Sequence, residues 1–149
     1  MTVGEFCNRE VVIATRDDVI VEIAKLMRQH HVGDVVIVDQ AKLPPVPVGI
    51  VTDRDIVVEL VAEEVALESV KAGDIMSYEL VTAREEDGIW ETLQRMRAQG
   101  VRRVPVVNRD GGLEGILTVD DLLELFSEEL LALAKVPAGE VFHEKKLRE

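Results

Sequence analysis

Aromatic side chains are scarce, with three Phe, one Tyr and one Trp in 149 residues, so ring stacking is not expected to be the main device of any binding site. The single cysteine, Cys7, can close no intramolecular disulfide and cannot build a Cys-rich metal site. No signal-like apolar run follows Met1, and a reducing cytoplasm is the expected setting. The longest apolar-rich segment, Leu122 to Val136, is interrupted by Glu124, Glu128 and Glu129, which argues against a membrane span. Positive charge is in deficit: 17 Lys and Arg face 29 Asp and Glu, for a net charge of -12. Such a field repels phosphate backbones, so nucleic acid is not an expected partner, although a small anion can still bind at a local basic spot.

Chemistry-bearing residues are thin as well. The three serines, Ser69, Ser77 and Ser127, lie in no nucleophile-elbow setting, and no Cys is paired with a His. Glycine-rich phosphate loops are missing, so nucleotide hydrolysis and hydride transfer have no machinery. His30 and His31 are adjacent and point to different sides of a helix end, which is poor metal-ligand geometry; His143 falls in a Glu- and Lys-rich tail. A non-catalytic protein is the expectation.

What is present is a globular composition, 47% apolar and 31% charged, and an internal repeat. Laying Val12–Asp39 over Val81–Asn108, a shift of 69, matches ten of 28 positions, among them Asp18, Ile20, Met27, Val35 and Val38. Chance gives about two at this composition. The same shift pairs Gly4-Glu5-Phe6 with Gly73-Asp74-Ile75, a short lead-in to each unit. Further on, Gly49-Ile50-Val51-Thr52-Asp53-Arg54-Asp55 returns as Gly115-Ile116-Leu117-Thr118-Val119-Asp120-Asp121, at a shift of 66. The first unit thus carries three extra residues in Gln40–Val48, where Pro44, Pro45 and Pro47 mark an exposed connection.

Each unit has the same order of elements. A short strand (Val11-Val12-Ile13, Leu80-Val81) leads through a polar corner (Thr15 to Asp18, Arg84 to Asp87) rich in helix N-cap residues. A helix follows with Ile20, Ile23, Ala24 and Met27 on one face, mirrored by Ile89, Leu93 and Met96, and Gly100 is placed to end the second copy. Trp90, at the place of Val21, is expected in the core or an interface. A continuous apolar strand, Val35 to Val38 or Val104 to Val107, has the character of one buried on both faces. Then come a turn, the Gly-led strand and a last helix, so the unit is β-α-β-β-α and too small to bury its faces alone.

With the repeat and motif in view, the chain resembles a tandem cystathionine beta-synthase (CBS) domain pair, the regulatory unit called a Bateman module. Val35-Val36-Ile37-Val38 with the Gly49 motif, and Val101-Arg102-Arg103-Val104-Pro105-Val106-Val107 with the Gly115 motif, carry the resemblance. It implies a mixed α+β fold of two β-α-β-β-α repeats related by pseudo-twofold symmetry: repeat 1 at 3–62, a linker at 63–71, repeat 2 at 72–134 and a tail at 135–149. It also implies a cleft between repeats for an adenosine-containing ligand, AMP, ADP, ATP or S-adenosylmethionine, optionally with magnesium. In such modules the Thr and Asp of T-x-x-D hold phosphate and ribose, which maps onto Thr52 with Asp55 and Thr118 with Asp121. Basic residues before the second strand point towards phosphates, here Arg102 and Arg103, with Arg54 a further candidate. Val12, Ile13 and Val36, or Val81 and Pro105, would supply the apolar slot for adenine.

Two alternatives stand beside this reading. Thr-x-x-Asp at a helix start also fits a capping box that closes the helix on itself. Arg102 and Arg103 also fit a solvated strand edge, or salt bridges to Glu85, Glu86 or Asp87. The first cleft is the favoured one, because Asp120 beside Asp121 disfavours a phosphate at the second. Leu122, Leu123, Leu125, Phe126, Leu130, Leu131 and Leu133, with Ile56, Val57, Leu60 and Val61, cover more surface than an intramolecular helix pair requires. A twofold homodimer through these helices is therefore expected. The functional expectation is a regulatory module that signals a bound adenosine ligand to a protein partner. Its alternative is an interaction module with degenerate clefts.

Overall fold

The computed structural model describes residues 1–148. The chain divides into two compact units, Met1–Leu117 and one that begins at Thr118. In chain order the elements are α1 (Val3–Phe6), β1 (Ile13–Ala14), α2 (Ile20–His30), β2 (Asp34–Asp39), β3 (Val46–Thr52) and α3 (Asp53–Asp55). After α3 come a π-type helix (Ile56–Val61) and a 3-10 turn (Leu67–Ser69). The second copy supplies α4 (Ala72–Ile75), β4 (Ala83–Arg84), α5 (Ile89–Gln99), β5 (Arg103–Val107), β6 (Leu113–Thr118) and α6 (Val119–Arg148). Two three-stranded sheets result, β1-β2-β3 and β4-β5-β6. In each, the first strand pairs parallel with the middle one: Ile13 lies opposite Val36, and Ala83 opposite Val106.

The middle strand shows why its sequence is an unbroken apolar run. Val35 and Ile37 turn one way, into a core with Ile20, Ile23, Met27 and Val51. Val36 and Val38 turn the other way, onto Ile116 with Ile13, Ile50 and Leu113 beside it. All four are 2% exposed or less. Each such side chain contributes about 1.5–3 kcal/mol relative to an exposed one.

The lead-ins are exchanged between the repeats. Val70, just before the second repeat, and Ala72 and Met76, which open it, are buried in the core of the first. Ala72 N–H donates to Asp18 O and Gly73 N–H to Arg16 O; in mirror image, Val3 N–H donates to Asp87 O and Gly4 N–H to Glu85 O. This exchange supplies the helix starts. The N-cap residues of α2 and α5 are Val19 and Gly88, with no side-chain cap. Ile20 N–H instead donates to Val70 O, and Ile89 N–H to Met1 O. The polar corners expected to cap these helices fold on themselves, Thr15 N–H donating to Asp18 Oδ2 and Arg84 N–H to Asp87 Oδ2.

The exchange also explains the glycine that opens each repeated motif. A Cβ at Gly115 would stand 2.7 Å from Cys7 Sγ and 2.8 Å from Asn8 O; one at Gly49 would meet the Met76 side chain at 2.6–3.0 Å. Cys7 and Met76 are repeat equivalents, and each lead-in bonds the strand it crosses: Asn8 N–H to Ile116 O and Ser77 N–H to Ile50 O.

Several expectations need correction. The first strands lie later than the sequence suggests, at Ile13–Ala14 and Ala83–Arg84, because the residues before them belong to the crossing lead-in; Asn8 bridges Ile116. Pro47 is buried inside β3, opposite Val38 and just past a bulge between Ile37 and Val38 on an edge strand, where a missing donor is tolerated. The three extra residues fall in the turn before it. Trp90 is 65% exposed and is not core. Gly100 does end α5, at φ 66°. The segment 135–149, expected as a tail, is helical through Arg148 in continuation of α6, with Pro137 inside the helix and Glu149 outside the described residues.

Substitution of Gly115 by Ala is expected to lower stability by roughly 1–3 kcal/mol through overpacking, measured by urea denaturation. Gly49→Ala should cost less, because it meets a flexible methionine rather than a backbone carbonyl. Trimming Cys7 to Ala should restore part of the Gly115→Ala loss, and a purely additive double mutant would contradict the crossing contact.

Candidate functional site

Both T-x-x-D motifs are built as capping boxes. At the first, Thr52 N–H donates to Asp55 Oδ2 at 2.8 Å and Asp55 N–H donates to Thr52 Oγ1 at 3.1 Å. At the second, Asp121 Oδ2 accepts from Thr118 N–H at 2.8 Å and from its hydroxyl at 2.9 Å, while Asp121 N–H donates to Thr118 Oγ1 at 3.2 Å. The capping alternative thus describes the geometry. It does not exhaust the carboxylates: only Oδ2 of each is engaged, and Asp55 Oδ1 accepts no hydrogen bond among the described residues.

Asp55 borders a crevice of about 420 Å³ with Glu59, Asp74, Ile75 and Ser77. Three of these five residues are carboxylates, which sets the local potential negative. Because the lead-in of the second repeat lies on the first, Asp74 to Ser77 arrive beside Asp55. The sequence gives no sign of this, since they stand about 20 residues away and in the other repeat. A second crevice, about 530 Å³, is bordered by Val12 and Ile13 with Asn8, Glu10, Leu26 and His30. Val12 and Ile13 are therefore brought together at an open surface. Val36 and Pro105 are buried, Val36 completely, and Val36 is core rather than slot lining. Val81 is half-buried.

The arginines divide. Arg103 Nε lies 3.0 Å from Asp34 Oδ2, and its Nη1 donates to Gly33 O at 3.4 Å. Arg103 and Asp34 are equivalent positions under the 69-residue shift, so the two repeats touch through the same site on each, once basic and once acidic. Both side chains are largely shielded, 23% and 17% exposed. Arg103 is thereby engaged in the inter-repeat contact. The carboxylates expected as alternative partners are taken by others: Glu85 by Arg9, Asp87 by Arg95, and Glu86 by Arg109 at 3.8 Å. Arg54 and Arg102 are exposed.

Among the described residues, no group of three or more His, Cys, Asp or Glu side chains could hold a metal ion. No described helix is long and apolar enough to cross a membrane.

The CBS domain family model matches residues 3–62 and again residues 72–128. The chain belongs to the CBS domain family, as a tandem pair. An uncharacterized protein of Methanopyrus kandleri is 38% identical over 125 residues, 84% of this chain; the chain spans only 62% of that relative's length. Among solved structures, the CBS domain pair of protein MJ0100 in complex with 5′-methylthioadenosine and S-adenosyl-L-methionine superposes with a TM-score of 0.77 at 26% identity. That match covers 87% of this chain and 98% of the other. A CBS domain protein from Pyrobaculum aerophilum complexed with AMP gives 0.75 at 28% identity, covering 85% and 99%. As in those CBS pairs, two sheets and their helices form a mixed fold.

Replacing Arg103 with Ala should destabilise this CBS pair by about 2 kcal/mol, since Asp34 loses its guanidinium in a shielded place. Adding Asp34→Ala should return part of that loss. A double-mutant cycle in urea measures the coupling, and zero coupling would remove the contact from the account of how the repeats are held.

Proposed function

We propose that this CBS pair is a regulatory, non-catalytic module that takes an adenosine-containing small molecule beside Asp55 and passes its occupancy to a protein partner. One observation carries the reading: Asp55 closes its helix with one carboxylate oxygen, keeps the other without a hydrogen bond among the described residues, and borders a crevice of ligand size. A carboxylate so placed accepts hydrogen bonds from the vicinal hydroxyls of a ribose. The adenosine ligands of two similar pairs, AMP in one and methylthioadenosine with S-adenosylmethionine in the other, support it.

The charge around the crevice selects among these ligands. Asp55, Glu59 and Asp74 repel a phosphate, and Arg103, which the motif offers as its counter-ion, is bound to Asp34. A ligand with a neutral or cationic 5′ end, a thioether or sulfonium nucleoside, suits this site better than AMP, ADP or ATP.

A melting scan tests this. At about 100 times the dissociation constant a ligand stabilises by about 2.7 kcal/mol, a rise on the order of 5–10 °C for a chain of this size. 5′-Methylthioadenosine and S-adenosylmethionine are expected to give that rise, the nucleotides less, with or without magnesium. Asp55→Asn, which retains a capping oxygen but not the charge, is expected to abolish it. Equal shifts for ATP and methylthioadenosine would defeat the charge argument. No shift with any of them would favour a module that acts through its surfaces alone.

Those surfaces support the homodimer reading. Val57, Val58 and Val61 are 42–56% exposed, and Leu123, Leu130, Leu131 and Leu133 are 57–67% exposed. Water-facing apolar rows of this kind favour self-association. Light scattering should return about twice the 16.6 kDa chain mass, and Leu130→Glu with Leu133→Glu should return the monomer.

A further inference from the structure

Away from the adenosine crevice, the second repeat gathers positive charge that the scaffold does not need. A cavity of about 390 Å³ is bordered by Arg84, Arg95 and Arg109, with Thr82, Asp87 and Asn108. Three guanidiniums and one carboxylate therefore share one opening in a chain of net charge -12. The place is well defined. Arg84 ends β4 and lies opposite Val107, the end of the parallel strand β5. The crevice outside the carboxyl ends of parallel strands is where open α/β sheets take ligands. Arg102 and Arg103 stand at the opposite, amino end of β5.

The wall is already organised. Asp87 Oδ2 accepts from Arg84 N–H at 3.0 Å and from Arg95 Nη2 at 2.6 Å. Burial pushes the Asp87 carboxyl up, but these two bonds, together with the charges of Arg95 and Arg84, hold it below the usual carboxylate range. A fixed, ionised Asp87 thus orients Arg95 and also faces the charge of Arg84, leaving one carboxylate against three guanidiniums at this opening. The Arg84 side chain makes no hydrogen bond or ion pair among the described residues, and Arg109 has only the 3.8 Å contact to Glu86. The turn beside them is rigid: Asn108 Oδ1 accepts from Asp110 N–H at 2.9 Å and Gly112 N–H at 3.0 Å.

The internal repeat supplies a control. Under the 69-residue shift, Arg84, Arg95 and Arg109 correspond to Thr15, Leu26 and Gln40. The first repeat builds the same strands and helix with no basic residue at any of the three positions. The cluster is therefore not a by-product of the fold.

We propose that this crevice is an anion site for a phosphoryl group carrying two or more negative charges, separate from the adenosine crevice at Asp55. Planar guanidinium forks match phosphate oxygens, and the volume admits orthophosphate or pyrophosphate. The same chemistry could come from a free inorganic anion or from the phosphate chain of a nucleotide.

The test is calorimetric titration of the full chain with pyrophosphate, and separately with orthophosphate and ATP, at constant ionic strength set by sodium chloride. Saturable binding of one pyrophosphate per chain is expected. Arg84→Gln and Arg109→Gln should each weaken it by about tenfold or more, as loss of a charge-assisted bond implies. Arg102→Gln and Asp55→Asn should leave it unchanged, which keeps this site distinguishable from the other. Pyrophosphate binding with ATP silent assigns a free anion, whereas ATP competing with pyrophosphate assigns a nucleotide's phosphates. Both changed arginines are exposed, and circular dichroism of each variant confirms folding. Wild-type affinity in the Arg84→Gln, Arg109→Gln double variant, loss in Arg102→Gln instead, or no saturable binding would overturn the assignment.

Discussion

The structure depends on a backbone crossing. Each repeat sends its opening residues over the strand of the other, and three separate features are answers to that crossing. The α2 and α5 helices have Val19 and Gly88 at their N-caps, which supply no side-chain acceptor, and the other repeat's lead-in brings carbonyls to their first amides instead. Gly49 and Gly115 have no Cβ because Met76 and Cys7 pass where it would be. The first core is completed by Val70, Ala72 and Met76 from the second lead-in. A half of this size buries too little apolar surface to stand alone, and here it also lacks its own helix starts. Dissociation of the repeats would therefore expose amides as well as side chains.

Symmetry in the backbone then frees the side chains to differ. At the equivalent positions Asp34 and Arg103 the repeats meet with opposite charges, as a contact between like positions requires; two arginines or two aspartates there would repel at short range in a shielded place. The same divergence appears at the carboxyl end of the strands, where the second repeat carries Arg84, Arg95 and Arg109 against Thr15, Leu26 and Gln40. A duplicated fold thus presents chemically distinct surfaces on a common frame: an acidic crevice at Asp55 and a basic one at Arg84.

The sequence disclosed what is periodic and hid what is exchanged. The repeat, the order of its elements, the doubly buried β2 and the αL end at Gly100 all follow from local pattern, and the structure contains them. Thr52 with Asp55 and Thr118 with Asp121 are visible as motifs, and the capping reading describes their geometry, with one oxygen of each carboxylate engaged. The neighbours of Asp55 were not visible, because Asp74 and Ser77 reach it only through the crossing. Nor was the partner of Arg103. A salt bridge between equivalent positions leaves no trace in either repeat read alone. Pro47 misled for a related reason: a proline excluded from a central strand is accepted on an edge strand just past a bulge.

The capping geometry also limits how a ligand at Asp55 would act. A helix cap is worth about 1 kcal/mol, so a ligand that took both carboxylate oxygens would have to offset that loss and unwind the start of α3. A ribose that takes Oδ1 alone leaves the Thr52 box closed. Beyond Asp55 the chain winds as a π-type helix, with Ala62 N–H donating to Val57 O, through Ile56, Val57 and Val58, branched residues that crowd the preceding turn of an α-helix. Glu59, in that same helix, borders the crevice, and Val57, Val58 and Val61 face outward from it. A crevice carboxylate and the exposed valines therefore share one six-residue segment. Under the proposed function, a ligand at the crevice would reach the exposed valines by moving or rewinding that segment, without disturbing the sheets, whose exchanged lead-ins make them the costlier part to move.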